Sequence, residues 1–302
     1  MNSFRFDADD RVIVGCMRFA EKSPEEMGRF LCAARERGLR VFDHADIYGG
    51  GRSEQVFGEA LAAQTELRRE DLVLQTKCGI RRGFYDLSKE HILRSVEGSL
   101  RRLRTDYLDL LLLHRPDALV EPEEVAEAFD ELERSGKVRA FGVSNHRPSQ
   151  IELLRSCVRQ ELIVDQLQFS LAASGMITSG LEVDMETPGA SDRDGFAIDY
   201  CRAKGITVQT WSPFQRPLWR GSFFGAPEYA ALDSALAEIA QEHGETPLTV
   251  AAAWILRHPA KMQLISGTTN PQRLGEICRA QELRLSREEW YRLYLAAGHE
   301  LP

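Results

Sequence analysis

Residues 107–145 read YLDLLLLHRPDALVEPEEVAEAFDELERSGKVRAFGVSN and combine a strand, a helix and a second strand. The apolar run Tyr107–His114 predicts a buried strand, and Val138–Ser144 predicts another. Between them, Pro122–Ser135 predicts an amphipathic helix that ends at Gly136. Because strands joined by a helical crossover pair in parallel, this stretch forms one unit of an α/β fold.

The same alternation continues outward from this unit in both directions. The other predicted strands are Val12–Cys16, Val41–Ala45, Leu72–Cys78, Ile163–Gln168, Ile206–Trp211 and Met262–Ser266. The other predicted helices are Pro24–Arg37, Ser53–Ala63, Ser88–Leu103, Pro148–Cys157, Phe196–Lys204, Pro227–His243, Pro247–Arg257 and Pro271–Gln281. Ser170–Gly195 and Ser212–Ala226 lack periodicity, and we expect loops there.

About eight strand–helix units follow one another without a linker. An open, doubly wound sheet and a closed (β/α)8 TIM barrel both fit this order, but the unbroken repeat favours the barrel. No GxGxxG follows the first strand, so the dinucleotide fingerprint of the open sheet is missing. We therefore expect a single α/β barrel domain over residues 1–302, with an extra C-terminal helix at Arg287–Ala297 that Ser286 caps.

The composition excludes several classes of protein. The 302 residues are 43% hydrophobic and 28% charged, with a net charge of −8, which is typical of a soluble globular protein and excludes a collagen, a disordered tail protein and a small disulfide scaffold. No Lys/Arg run is long enough for nucleic-acid binding. The longest apolar run, Leu108–Leu113, is interrupted by Asp109 and is too short to span a membrane. Six scattered cysteines without a CxxC pair indicate reduced thiols and a cytoplasmic location.

Polar side chains stand where four of the predicted strands end, which is where TIM barrels place their chemistry. Asp43 ends the second strand and Tyr48 follows it, Lys77 ends the third, His114 ends the fourth, and Ser144 and Asn145 end the fifth. A free tyrosine has a pKa of about 10, and an adjacent ammonium group lowers it. We therefore expect Lys77, held by Asp43, to make Tyr48 a general acid while His114 orients a substrate oxygen, an arrangement suited to carbonyl reduction.

These positions lie in motifs that resemble the aldo-keto reductase family, closest to its bacterial, largely uncharacterised oxidoreductase branch. The motifs occur in family order between about Val12 and Ala280. They are Phe42–Asp43–His44–Ala45–Asp46–Ile47–Tyr48, Thr76–Lys77–Cys78–Gly79, Leu112–Leu113–His114–Arg115–Pro116–Asp117, Gly136–Lys137–Val138–Arg139–Ala140–Phe141–Gly142–Val143–Ser144–Asn145, Trp211–Ser212–Pro213 and Gly267–Thr268–Thr269–Asn270–Pro271–Gln272–Arg273.

The resemblance implies an NADPH-dependent reductase of a small aldehyde or ketone, with Tyr48 as proton donor, and NADH as a possible second cofactor. It assigns cofactor binding to Ser144, Asn145 and Gln166 at the nicotinamide carboxamide, Trp211 under its ring, Ser212, Pro213 and Phe214 along the pyrophosphate, and Gly267, Thr268, Thr269 and Arg273 at the 2′-phosphate motif. Two positions depart from the family pattern: Gly267 replaces a lysine, which weakens the preference for NADPH, and Met17 replaces an aromatic residue at the pocket edge.

Two alternatives come from other functional classes. A regulatory subunit would bind NADPH and act through a partner, as potassium-channel β subunits of this family do. A metal-dependent barrel hydrolase would use Asp43, His44, Asp46 and His114 as ligands, but Lys77 among them opposes a second cation, so we expect no metal. We expect a monomer or weak homo-oligomer that binds neither nucleic acid nor membrane.

Overall fold

Eight parallel strands close into a barrel in the computed structural model, which describes residues 4–301 except the side chain of Trp219. In chain order the strands are β1 (Val12–Gly15), β2 (Val41–Asp43), β3 (Val73–Cys78), β4 (Leu110–Leu113), β5 (Phe141–Ser144), β6 (Leu162–Gln168), β7 (Thr207–Trp211) and β8 (Gln263–Ser266). Each strand pairs with its neighbours in sequence, and β8 pairs with β1. The predicted (β/α)8 barrel is confirmed.

Helices surround the barrel. They are α1 (Pro24–Glu36), α2 (Arg52–Ala63), α3 (Lys89–Leu103), α4 (Pro122–Arg134), α5 (Pro148–Arg155), α6 (Gly175–Leu181), α7 (Ala197–Lys204), α8 (Ala230–His243), α9 (Pro247–Leu256), α10 (Pro271–Arg279) and α11 (Arg287–Ala296). The predicted N-cap of the C-terminal helix is confirmed at Ser286. Its side chain accepts from the Glu289 backbone amide, and the Glu289 carboxylate accepts from the Ser286 backbone amide.

Three segments differ from the predicted elements. The segment Ser170–Gly195 is not all loop, because it contains α6, a Gly- and Ser-rich helix without an apolar period. Pro227–His243 is not one α-helix, since Pro227–Tyr229 forms a 3-10 turn before α8 begins. The hairpin of Ile80–Arg81 and Phe84–Tyr85, which lies directly after β3, was missed because each of its strands has only two residues.

Alternation along β3 separates the interior of the barrel from the helix layer. Gln75 and Lys77 point inward, where they bond to Asp43, whereas Thr76 donates to the carboxylate of Glu54 on α2 at 2.6 Å. Cys78 packs in the apolar cluster between strands and helices, as predicted from its place beside Lys77. A single strand thus contributes polar groups to the site and apolar groups to the core.

Two small apolar clusters lie apart from the main core, and Phe4 and Phe6, which precede β1, pack against both. The clusters are Leu110, Leu112, Ala140, Ile163 and Val164; and Ile13, Val41, Val73 and Ile265. The inward-facing polar side chains Asp43, Gln75 and Lys77 are buried and bond to one another.

Candidate active site

Lys77 joins three of the four predicted catalytic positions. Its ammonium nitrogen is fully buried and donates to the Asp43 carboxylate at 2.8 Å, to the His44 carbonyl oxygen at 2.7 Å and to the Tyr48 hydroxyl at 3.1 Å. The Tyr48 ring lies edge-to-face with His114, with 6.1 Å between centroids. The four side chains predicted from three neighbouring strand ends therefore lie together.

A glycine turn brings Tyr48 over the mouth of the barrel. Gly49, Gly50 and Gly51 all have positive φ, a conformation that residues with a Cβ rarely adopt. A Cβ at Gly49 would also overlap that of Ala20, on the 3-10 helix after β1. The glycine turn therefore packs against the segment after β1 and sets the direction of the phenol.

A layer of glutamines lies beneath the Asp43–Lys77 pair, and the sequence analysis missed it apart from Gln166. Asp43 Oδ1 accepts from the side-chain amides of Gln75 at 2.6 Å and Gln166 at 2.9 Å. Both amides also donate to Gln209 Oε1, at 2.9 and 3.0 Å. Because an amide NH2 has only two protons, these bonds use both and leave the Gln166 oxygen for a ligand in the cavity that Gln166 lines.

The same layer continues across the barrel. Gln209 Nε2 donates to Gln75 Oε1 at 3.0 Å and to Gln263 Oε1 at 2.9 Å. Gln263 Nε2 in turn donates to the Asp10 carbonyl oxygen at 2.7 Å. The hydrogen bonds run from the Asp43 carboxylate to the Asp10 carbonyl oxygen, and both groups can only accept. Each glutamine amide between them therefore has one orientation.

The direction of the Tyr48 pKa shift was predicted wrongly. Burial raises the pKa of Tyr48 above 10, and the lowering by Lys77 does not overcome it. Burial also lowers the pKa of Lys77, but Asp43 and Tyr48 outweigh it and the net pKa is raised. The ammonium group therefore stays charged and the phenol stays protonated at neutral pH, so Tyr48 has a proton to donate and Lys77 can stabilise the phenolate left behind.

His114 is neutral at physiological pH. Burial, with added repulsion from Lys77 and Arg115, lowers the pKa of His114 to about 2. Its Nδ1 atom is buried and has no hydrogen-bond partner among residues 4–301. A neutral ring with its proton on Nε2 can donate one hydrogen bond to a substrate oxygen, which is the orienting role predicted for it.

A cavity of about 1080 Å³ opens above these groups, and most predicted site residues line it. Lining it are Asp43, Tyr48, His114, Ser144, Asn145, Gln166, Trp211, Ser212, Pro213, Phe214, Gly267, Thr268 and Arg273, together with Met17. Two predicted residues do not line it: Lys77 lies beneath Tyr48, and Thr269 is half-buried in the loop before α10. The cavity is large enough for a dinucleotide and a small substrate together.

Directional hydrogen bonds fix the amide of Asn145 at the centre of the cavity. The Trp211 indole N–H donates to Asn145 Oδ1 at 3.0 Å, Asn145 Nδ2 donates to Ser144 Oγ at 2.8 Å, and Ser144 Oγ donates to the Gln166 carbonyl oxygen at 2.9 Å. An indole N–H can only donate, so the amide has one possible orientation. Residues predicted to hold the nicotinamide are thus already ordered relative to one another.

The far end of the cavity combines a helix N-terminus with an arginine. Arg273 lies in the first turn of α10, and the Asn270 side chain caps its amide at 3.2 Å. The positive end of a helix and a guanidinium both favour a phosphate. Glu276, one turn further along the same helix, also lines the cavity and accepts from Thr246 Oγ1 at 2.9 Å. Glu276 was not predicted, although its i, i+3 spacing from Arg273 places both residues on one face of α10.

Residues 11–295 match the model of the Aldo/keto reductase family. The chain belongs to this family. A 6-dehydroglucose reductase of Agrobacterium fabrum is 37% identical over 305 residues, covering 96% of this chain and 95% of that protein. Among solved structures, the thermostable aldo-keto reductase Tm1743 with the inhibitor epalrestat has a TM-score of 0.75 at 28% identity, covering 98% and 97% of the two chains.

A second solved aldo-keto reductase, from Klebsiella pneumoniae, was determined in complex with NADPH. It has a TM-score of 0.74 at 26% identity, covering 94% of this chain and 89% of that one. The donors and acceptors of the cavity described above suit the same group, since Gln166 offers an acceptor, Asn145 an ordered amide and Arg273 a cation. The residues of this chain therefore fit a nicotinamide dinucleotide.

Two further expectations concern metal and membrane. Across residues 4–301, no three His, Cys, Asp or Glu side chains are arranged to hold a metal ion. His44, one proposed ligand, instead packs edge-on against Phe57 in the helix layer, 4.6 Å between ring centroids. Within the same described range, no helix has the length and apolar character needed to cross a bilayer.

Proposed function

We propose that this aldo/keto reductase reduces a small aldehyde or ketone to an alcohol with NADPH as the reductant. The observation that carries the proposal is the contact of Lys77 Nζ with both Asp43 and Tyr48, beneath a cavity that fits a dinucleotide. The similarity to the 6-dehydroglucose reductase of Agrobacterium fabrum supports a polar carbonyl substrate.

The residues of this chain supply the proton and the orientation. When bound, NADPH supplies a hydride for the carbonyl carbon. Tyr48 donates its phenolic proton to the carbonyl oxygen, and Lys77 stabilises the phenolate that forms. Neutral His114 donates a hydrogen bond to the same oxygen and holds it toward Tyr48. The buried glutamine layer keeps Asp43 in place, so Lys77 does not move away from Tyr48.

Preference for NADPH over NADH rests on Arg273. Its guanidinium lines the cavity at the N-terminus of α10, where the 2′-phosphate that distinguishes the two cofactors would lie. Gly267, on the same rim, brings no second cation. We therefore propose that Arg273→Met raises the KM for NADPH at least about tenfold and leaves the KM for NADH unchanged. Equal effects on both cofactors would contradict this assignment.

The proposed activity is tested by following NADPH consumption with a panel of aldehydes and ketones, including aldoses. Wild-type protein is expected to turn over at least one of them. The regulatory subunit gives a different result in the same assay: tight NADPH binding without turnover. The assembled Asp43–Lys77–Tyr48 contacts favour the enzyme. The cytoplasmic location and the monomeric or weakly oligomeric state stay predictions from sequence.

A further inference from the structure

The substrate end of the cavity contains a guanidinium that no carboxylate of the described chain neutralises. Arg115 directly follows His114, is half-buried and lines the cavity. Among residues 4–301 it makes neither a hydrogen bond nor an ion pair, and its Cζ atom lies 6.0 Å from the centroid of the Trp211 ring. A second arginine, Arg18, is exposed at the same cavity on the segment after β1 and also lacks a carboxylate partner in the described chain.

Other half-buried arginines have acceptors for their guanidinium groups: Arg11 and Arg35 donate to backbone carbonyl oxygens, and others pair with carboxylates. Arg69 lies 2.7 Å from the Asp109 carboxylate, and Arg102 lies 2.7 Å from that of Glu54. Partial burial of an unpaired cation is unfavourable, because the charge loses part of its hydration without gaining a counterion. An arginine kept half-buried and unpaired inside a cavity is therefore expected to find its counterion in a ligand.

The carboxylates that line the cavity cannot serve as that counterion. Asp43 is committed to Lys77 at 2.8 Å and to two glutamines. Glu276 lies at the opposite, phosphate end, where it bonds to Thr246. The end of the cavity near Tyr48 and His114 therefore has unbalanced positive charge.

We infer that the carbonyl compound reduced by this enzyme carries a carboxylate group, which Arg115 binds while the carbonyl oxygen lies between Tyr48 and His114. The planar guanidinium can bond both carboxylate oxygens and so fix the direction of the substrate. The adjacent positions of His114 and Arg115 suit a short molecule with both groups. The inference rests on the proposed reductase function and specifies its substrate class.

The test compares matched acid and neutral substrates. We would measure kcat/KM for 4-formylbenzoate against its methyl ester, and for D-glucuronate against D-glucose, in wild-type protein and in Arg115→Met. Arg115→Lys keeps the charge but not the fork. Arg284→Met is the control, because it removes one exposed arginine that does not line the cavity. Thermal unfolding shows whether each variant is folded.

In wild-type protein, kcat/KM for the acid should exceed kcat/KM for its neutral partner at least about tenfold. This ratio should fall to about one in Arg115→Met and to an intermediate value in Arg115→Lys. Arg284→Met keeps the wild-type ratio. The inference is overturned if wild type reduces acid and ester equally, or if Arg115→Met raises only the KM for NADPH. If no member of either pair, nor any other carbonyl, is reduced, the proposed function itself fails. If only the neutral substrates are reduced, the reductase function is supported and the carboxylate inference is overturned.

Discussion

Replacing Lys77 with methionine separates the stabilising role of this side chain from its catalytic role. The substitution leaves the Asp43 carboxylate fully buried without its counterion, although Gln75 and Gln166 still donate to it. Breaking a buried ion pair in this way costs about 3 to 5 kcal/mol of unfolding free energy. Tyr48 loses the cation that stabilises its phenolate, so kcat should fall at least about a hundredfold.

The double variant Lys77→Met with Asp43→Asn provides the matched control. It removes both charges, and the introduced amide oxygen can still accept from Gln75 and Gln166. We expect its unfolding free energy in urea to return to within about 2 kcal/mol of wild type, since removal of a whole buried pair is often nearly neutral. Its kcat should stay as low as that of the single variant. Wild-type stability of the single variant, or recovery of activity in the double variant, would refute the reasoning.

Three further predictions follow from the buried groups. Gln209→Leu removes an acceptor shared by Gln75 and Gln166, so the KM for NADPH should rise about tenfold with a smaller change in kcat; an unchanged KM would contradict the glutamine layer. Because burial lowers the pKa of His114 to about 2, the plot of kcat against pH should show no ionisation near the free imidazole value of about 6.5. A change of kcat between about pH 5 and 8 that is absent in His114→Gln would contradict this. Burial raises the pKa of Asp165 to about 8 and outweighs the smaller lowering by the backbone amides of His146 and Asn145. The free energy of unfolding is therefore highest below about pH 3.9, the pKa of the unfolded carboxyl, and falls as pH rises toward 8. Asp165→Asn removes this loss, so it should stabilise the protein by up to about 4 kcal/mol at pH 7 and by almost nothing at pH 4. Urea unfolding at both pH values decides it, and an equal effect at both would be the contrary result.

The barrel could be predicted because its signals are local. Apolar runs, N-caps such as Ser286 and stop residues such as Gly136 repeat along the chain. Helix α6 could not be predicted, because its stability comes from distant contacts: Thr178 accepts from the Tyr294 hydroxyl at 3.1 Å, and Ser174 bonds to His299 at 2.9 Å. Such contacts leave no periodicity in the segment itself.

The members of the site were predictable from strand ends, but their energetics were not. Lys77 and Tyr48 meet as expected, yet the pKa of Tyr48 rises because burial outweighs the neighbouring charge, and burial cannot be read from sequence. The glutamine layer escaped detection for a related reason. Gln75 and Gln209 lie on strands far apart in the sequence, and only closure of the barrel brings them together.

The central claim is that the Tyr48 phenol delivers the proton during reduction. Its most direct test is the single-turnover rate of NADPH oxidation by Tyr48→Phe with a carbonyl substrate of the wild-type enzyme, alongside NADPH affinity measured by fluorescence. We predict an unchanged Kd for NADPH and a rate at least about a hundredfold below wild type. A rate equal to wild type at the same NADPH occupancy would contradict the claim.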